Sequence, residues 1–283
     1  MKLKNFLGMM VIALCVVACS DDDNNDQSVN LAQEVAGTYN GYTSAKFSYS
    51  PNPTVTPKEK VVIADKGDSK VDLTLASTTW GEFKLTDVAV KKDGNAYKME
   101  GTGKASLQMS GHASGEYDFT LTGSVEQGKK NFSFVVSLTI MGGTTITFIE
   151  GDAPVNQIVA GSYTGTTVLF VSGKEQGSEE NKNVAVTSED DGTVKIVLPA
   201  FAEGQGMSLP EITLTAVKVE TSDYVTYSIL EAPINITLNN TNYTGKLTGK
   251  VVAGKLSLSY TCTPAAMAGM GMTISAEFTT TAK

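Results

Sequence analysis

Ala36-Gly37-Thr38-Tyr39-Asn40-Gly41 returns 124 positions further along the chain as Ala160-Gly161-Ser162-Tyr163-Thr164-Gly165. A repeat with so long a period means that one structural unit is built twice, so a single unit has to be explained. The copies stay in step. Val71-Asp72-Leu73-Thr74-Leu75 answers to Val194-Lys195-Ile196-Val197-Leu198, and Phe83-Lys84-Leu85-Thr86 to Ile212-Thr213-Leu214-Thr215. Leu121-Thr122-Gly123 and Phe132-Ser133-Phe134 likewise answer to Leu247-Thr248-Gly249 and Leu256-Ser257-Leu258. The order is kept while the spacing drifts by a few residues, because loops absorb length changes that strands do not. The units meet at the polar connector Gly151-Asp152-Ala153-Pro154.

Inside each copy polar and apolar residues alternate, as in Asp118-Phe119-Thr120-Leu121-Thr122 and Lys255-Leu256-Ser257-Leu258-Ser259-Tyr260. A period of two marks strands with one buried face. Beyond the leader no window holds apolar residues at helical spacing, and the abundance of Thr, Val, Tyr and Ser disfavours helices further. Asp68, Asp93-Gly94, Gln127-Gly128, Asp191-Gly192 and Ala253-Gly254 read as hairpin turns. Copy one then carries strands at 35–47, 58–65, 70–77, 82–92, 95–110, 114–125, 130–140 and 143–150. A turn at Gly101-Thr102-Gly103 would split the fifth of these. Its counterpart in copy two has Glu231-Ala232-Pro233, which cannot supply the positive-φ residues of a two-residue hairpin, so one long kinked strand is expected in both copies. Eight antiparallel strands close into an up-and-down barrel, which leaves no exposed edge. The expected fold is all-β: two tandem eight-stranded antiparallel up-and-down β-barrels, at 35–150 and 158–283.

The chain starts differently. Lys2 and Lys4 precede the apolar run Phe6 to Ala18, which is too short for a permanent membrane span and reads as a secretory signal. Val16-Val17-Ala18-Cys19 resembles the lipobox of bacterial lipoproteins, which implies removal of residues 1–18 and lipidation of Cys19. Ser20-Asp21-Asp22-Asp23-Asn24-Asn25-Asp26 is a solvated acidic spacer within a tether of residues 19–34, and it resembles the signal that exports some lipoproteins to the outer face of the outer membrane. An outer-membrane, cell-surface location is therefore expected, with the membrane reached only through the lipid on Cys19. Cys15 leaves with the leader, so Cys262 has no intrachain disulfide partner and packing alone must hold the fold.

Composition narrows function mainly by exclusion. With 41% hydrophobic and 18% charged residues, 283 residues suffice for about two ordinary cores. All 22 basic residues are lysines, the formal charge is −8, and the leader takes two lysines with it. Nucleic acid is an unsuitable partner, because tracking phosphates takes a basic stripe and usually the guanidinium fork. A single His, His112, and no Arg leave little acid–base, phosphate-clamp or metal-ligand chemistry, so no cofactor, metal or catalytic residue is assigned. Gly101-x-Gly103 has no helix after it to cradle a phosphate, and Glu179-Glu180 and Glu189-Asp190-Asp191 read as solvated turns.

An even strand number sends alternate connections to opposite ends. In copy one the connections 48–57, 78–81, 111–113 and 141–142 share one end, and in copy two 171–182, 200–210, 239–241 and 263–271 do. These are the longer ones, which makes that rim the candidate binding site. The unusual residues fall on it: Tyr49, Trp80, His112 and Met141 in copy one, and Phe201, Met207, Met267, Met270 and Met272 in copy two. Exposed aromatics and pliant methionines suit apolar or sugar-stacking contacts. The alternatives stand beside this: Trp80 as a plug of the barrel end, the methionines as a lid of core, and His112 as an ordinary loop residue.

The duplicated Gly-x-Tyr opening and the eight alternating strands per unit resemble the calycin-like β-barrels of tandem bacterial surface lipoproteins, which share their shape with lipocalins. Lipocalins open with Gly-x-Trp and pack a late Arg on that Trp, whereas here Tyr39 and Tyr163 stand at the Trp position. The resemblance implies architecture and no particular activity. Three functions are thus in play: a non-enzymatic surface protein binding a small apolar or carbohydrate ligand at the rim, an interaction module with filled barrels that docks a surface partner, and an enzyme.

Overall fold

The computed structural model describes residues 29–281 apart from 51, 108–114, 127–131, 139–142, 203–207 and 239. Cys19, His112, Met141 and Met207 lie outside the described residues.

A one-turn helix, α1 (Ala32–Val35), leads into eight strands: β1 (Gly37–Phe47), β2 (Thr54–Gly67), β3 (Lys70–Ser77), β4 (Gly81–Asp93), β5 (Ala96–Leu107), β6 (Gly115–Glu126), β7 (Phe132–Leu138) and β8 (Thr144–Glu150). Each pairs antiparallel with its neighbour and β8 returns to β1, so the barrel is closed. The second unit opens with another single turn, α2 (Val155–Val159). Its strands are β9 (Gly161–Val171), β10 (Lys174–Ser188), β11 (Val194–Leu198), β12 (Ile212–Val217), β13 (Val219–Glu220), β14 (Thr226–Leu238), β15 (Thr241–Val252), β16 (Lys255–Thr261), β17 (Thr263–Pro264) and β18 (Ile274–Thr280), with a third turn, α3 (Ala265–Ala268), before β18. β12 pairs with β11, and β13 pairs with β14. Only Lys218 separates β12 from β13, and its carbonyl accepts from the Leu230 N–H at 3.0 Å. The two form one interrupted stave, and β17 extends β16 in the same way, so barrel 2 also has eight staves. The interruption has a counterpart in β4: Ala216 and Asp87 both adopt a left-handed φ, 55° and 56°.

Alternation along the strands builds the cores. On β2, Glu59, Val61 and Ile63 face inward while their neighbours face out. Phe83 meets Phe119 edge-on at 5.5 Å inside barrel 1, and Leu169, Ile196 and Phe278 are fully buried in barrel 2. The repeated Gly-x-Tyr motif explains the base of each barrel. The Tyr39 hydroxyl donates to the Val35 carbonyl at 2.6 Å and the Tyr163 hydroxyl to the Val159 carbonyl at 2.7 Å. Each Tyr thus satisfies a carbonyl at the end of a one-turn helix that plugs the barrel base, a bond a buried helix end needs. Asn156 ties α2 further, its amide donating to the Glu189 and Thr193 carbonyls.

β5 and β14 each run unbroken through Gly101-Thr102-Gly103 and Glu231-Ala232-Pro233, with a register shift between Ile229 and Ala232. Two expectations about the connections need correcting. β2 begins at Thr54 instead of 58, so the first rim connection is 48–53. The expected loop 171–182 is a two-residue hairpin, Ser172-Gly173, with φ of 48° and 78°, followed by the long β10. Three single helical turns accompany the strands, each too short for a helical period to show in the sequence. Cys262 is free and buried, and burial pushes its thiol up to about 11.

Candidate functional site

At the mouth of barrel 1 the β3–β4 turn carries Trp80 inward. The Ser77 Oγ accepts from the backbone N–H of Thr79 at 3.2 Å and of Trp80 at 3.0 Å, which shapes the turn. The indole Nε1 then donates to the buried Thr43 Oγ1 at 3.0 Å, and Trp80 is 7% exposed. A buried indole with its N–H satisfied is a stopper for the barrel. Phe47 leans on it at 5.8 Å, and Tyr49 stacks on Phe47 at 5.3 Å and 26°. Tyr49 is 65% exposed, so an aromatic ladder climbs from the core to the solvent.

Ser77 also meets the inward Glu59, 3% exposed, whose Oε1 accepts from the Ser77 hydroxyl at 2.9 Å while Oε2 has no hydrogen-bond partner among the described residues. Burial lifts its carboxyl from 4.5 to about 7, with the Ser77 bond opposing part of the rise. A carboxyl whose folded pKa exceeds its unfolded value stabilises fully below the unfolded pKa and loses that contribution as pH rises through the folded one. Glu59→Gln is therefore expected to match wild type at about pH 4.5 and to be the more stable protein above about pH 7, by about 3 kcal/mol. Urea unfolding of both proteins across this range checks it; parallel stability curves would refute the buried carboxyl.

Barrel 2 closes its mouth with Phe201, 1% exposed, which exchanges two backbone bonds with Leu209, both 2.9 Å. Glu179, expected in a solvated turn, is instead an inward residue of β10. Its Oε1 accepts from the Ala202 N–H at 2.7 Å and it pairs with Lys182, whose Nζ donates to the Ala200 carbonyl at 3.0 Å. By register Lys182 stands where barrel 1 has Glu59, opposite Gly165 as Glu59 is opposite Gly41. One barrel thus encloses a carboxyl and the other an ion pair. The α3 turn follows: Met267 packs against the core, Met272 is half-buried with its N–H on the Met267 carbonyl, and Met270 is 68% exposed.

The structure therefore brings Tyr49 and Trp80 together through Phe47, and Met267 and Met272 together at the other mouth. It buries Trp80 and Phe201, leaving Tyr49 and Met270 as the exposed candidates among the described residues. Glu59 was missed, although its place two residues before Val61 and four before Ile63 on an alternating strand signals an inward carboxyl. Tyr224, Asp223 and Lys58 were also missed. The Lys58 Nζ donates to the Asp223 carbonyl at 2.6 Å and lies 5.9 Å over the Tyr224 ring, joining the barrels, a contact that no local pattern announces.

The calycin-like β-barrel domain pattern matches residues 35–149 and again 159–281. Among solved structures, that of a proposed outer membrane protein from Bacteroides fragilis NCTC 9343 is similar, with a TM-score of 0.69 and 30% sequence identity over 90% of this chain and 100% of that one. A DUF3598-family protein of unknown function from Nostoc punctiforme PCC 73102 aligns over 89% of this chain and 98% of that one at 10% identity, with a TM-score of 0.23 that supports no inference. None of the curated proteins matches. The two matched regions are the two barrels described above, one after the other, and the chain belongs to the calycin-like β-barrel domain family.

Proposed function

We propose that this is a non-enzymatic binding protein of the outer membrane, anchored at the cell surface by lipid on Cys19 after loss of residues 1–18, and that it stacks a carbohydrate on the barrel-1 rim. The Tyr49–Phe47–Trp80 ladder carries the reading. Trp80 fills the mouth, so a ligand meets the rim and not the barrel interior. Tyr49 offers an open aromatic face that is held in place from below, which lowers the ordering cost of binding. Ser50 and Asn52 beside it supply hydroxyl and amide groups, as a polyhydroxylated ligand requires. Support for the location is the lipobox-like Val16-Val17-Ala18-Cys19, the tether of residues 19–34, and the similarity to a proposed outer membrane protein.

The test is a titration of the leader-free protein with cello-, manno-, xylo-, malto- and chito-oligosaccharides, read by Trp80 emission. At least one should give a saturable change, and Tyr49→Ala should weaken that ligand about tenfold, equivalent to the loss of one stacking contact. Silence across the panel, or binding indifferent to Tyr49, overturns the rim reading. The filled-barrel interaction module is then the better account; the exposed Met270 on its short turn favours it.

A further inference from the structure

Both barrels carry the same dent in their walls. At Gly41 and Gly165 the first strand passes so close to the last that a side chain has no room. On its other side the second strand skips two residues, which puts Lys58 and Asn181 in the left-handed region at φ 59° and 57°. The same bond closes each dent: Gly151 N–H donates to the Asn40 carbonyl at 3.1 Å, and Thr281 N–H to the Thr164 carbonyl at 3.2 Å. Asn40, Lys58 and Gly151 thus correspond to Thr164, Asn181 and Thr281, and each set lines a cleft.

In barrel 1 the cleft is a seat for barrel 2. It measures about 310 Å³, with Asp152 and Ala153 on one wall and Tyr224, from the turn between β13 and β14, on another. Lys58 holds that turn by the Asp223 carbonyl and the Tyr224 ring. The turn arrives preformed: Asp223 Oδ1 accepts from the N–H of Val225 and of Thr226, both at 2.9 Å, and Thr221 Oγ1 accepts from the Tyr224 N–H at 2.9 Å. In barrel 2 the cleft is larger, about 730 Å³, and its lining comes from barrel 2 alone.

We propose that the barrel-2 cleft is a docking seat for a turn of another protein that presents a tyrosine beside an outward-facing backbone carbonyl. The corresponding seat is the argument for a protein turn as occupant, since barrel 1 already holds one there. The chemistry of the walls agrees. Asn181 places an amide donor where Lys58 stands in barrel 1, Lys255 adds an ammonium, and Thr164 and Thr281 add hydroxyls, with no side-chain carboxylate in the lining among the described residues. These are donors for a carbonyl and a phenol oxygen. This inference is independent of the rim.

The probe is the chain's own turn: a fluorescein-labelled cyclic peptide of residues 219–228, followed by anisotropy on the full chain without its leader. Saturable binding is expected, at least about tenfold weaker for the peptide with Tyr224→Ala. Thr164→Trp and Thr281→Trp, both at exposed positions, should each fill the cleft and weaken binding by a similar factor. Lys58→Ala and Tyr49→Ala should leave it in place, because they touch the other seat and the rim. Absence of binding at millimolar peptide, survival of binding in both Trp variants, loss of binding with Lys58→Ala, or equal binding by the Tyr224→Ala peptide would each overturn the proposal.

Discussion

Gly165→Val is expected to abolish the folding of barrel 2. A Cβ at this position would sit 2.2 Å from the Thr279 carbonyl oxygen and 2.8 Å from both the Thr279 carbonyl carbon and Phe278 Cζ. Backbone cannot step aside as a side-chain tip can, and these atoms belong to β18, the strand that seals the ring against β9. Overpacking alone costs about 1–3 kcal/mol. Here the displaced partner is the closing seam, so the loss exceeds that range and approaches the whole stability of a small domain. The first glycine of the same motif is the control. A Cβ at Gly161 would meet only Tyr163, at 3.8 Å, so Gly161→Ala should fold with a change below about 1 kcal/mol. Gly41→Val should do to barrel 1 what Gly165→Val does to barrel 2, since its Cβ would lie 2.1 Å from the Ile149 carbonyl oxygen. Amide spectra of the two variants read the barrels separately. A Gly165→Val protein with dispersed signals from both barrels would refute the close approach.

Trp80→Ala should cost barrel 1 about 3–5 kcal/mol, the range for removing a large buried aromatic and leaving its cavity. Two further losses are included in that range: Phe47 loses the ring it leans on, and the buried Thr43 hydroxyl loses its donor. Trp80→Phe separates these contributions, because it keeps most of the packing and forfeits the bond to Thr43, worth about 1 kcal/mol. Denaturant unfolding followed by circular dichroism measures both. A loss under about 1 kcal/mol for Trp80→Ala would mean that the indole does not stopper the barrel.

Much of the architecture is legible in the chain because it rests on periodicity and repetition. The Gly-x-Tyr pair set the duplication, and alternation such as that of Lys255 to Tyr260 set the strands. Comparing Gly101-Thr102-Gly103 with Glu231-Ala232-Pro233 settled the strand count. The failures cluster where local geometry interrupts the period. In β10 the skip at Glu180-Asn181 shifts the inward phase, so the polar run from Lys174 reads as a loop and Glu179 as solvated. The rim residues were identified by type and loop position, and neither says which way a side chain turns. Trp80 points in because Ser77 and Thr43 collect its two N–H groups, a partnership spread over two strands and a turn. Glu59 was visible in the inward phase of β2, yet the habit of treating charged residues as exposed hides it. The seats at Lys58 and Asn181 come from tertiary closure and have no sequence signature of their own.

The closed ring also governs how barrel 1 yields to pulling. In barrel 1 the chain enters at β1 and leaves at β8, and these two strands are antiparallel neighbours whose outer ends lie on the same side. Tension between residue 37 and residue 151 therefore loads their bonds in sequence and not together, starting with Gly151 N–H to the Asn40 carbonyl. Such a joint opens like a zip fastener, at low force, whereas strands drawn lengthwise past one another would share the load across every rung.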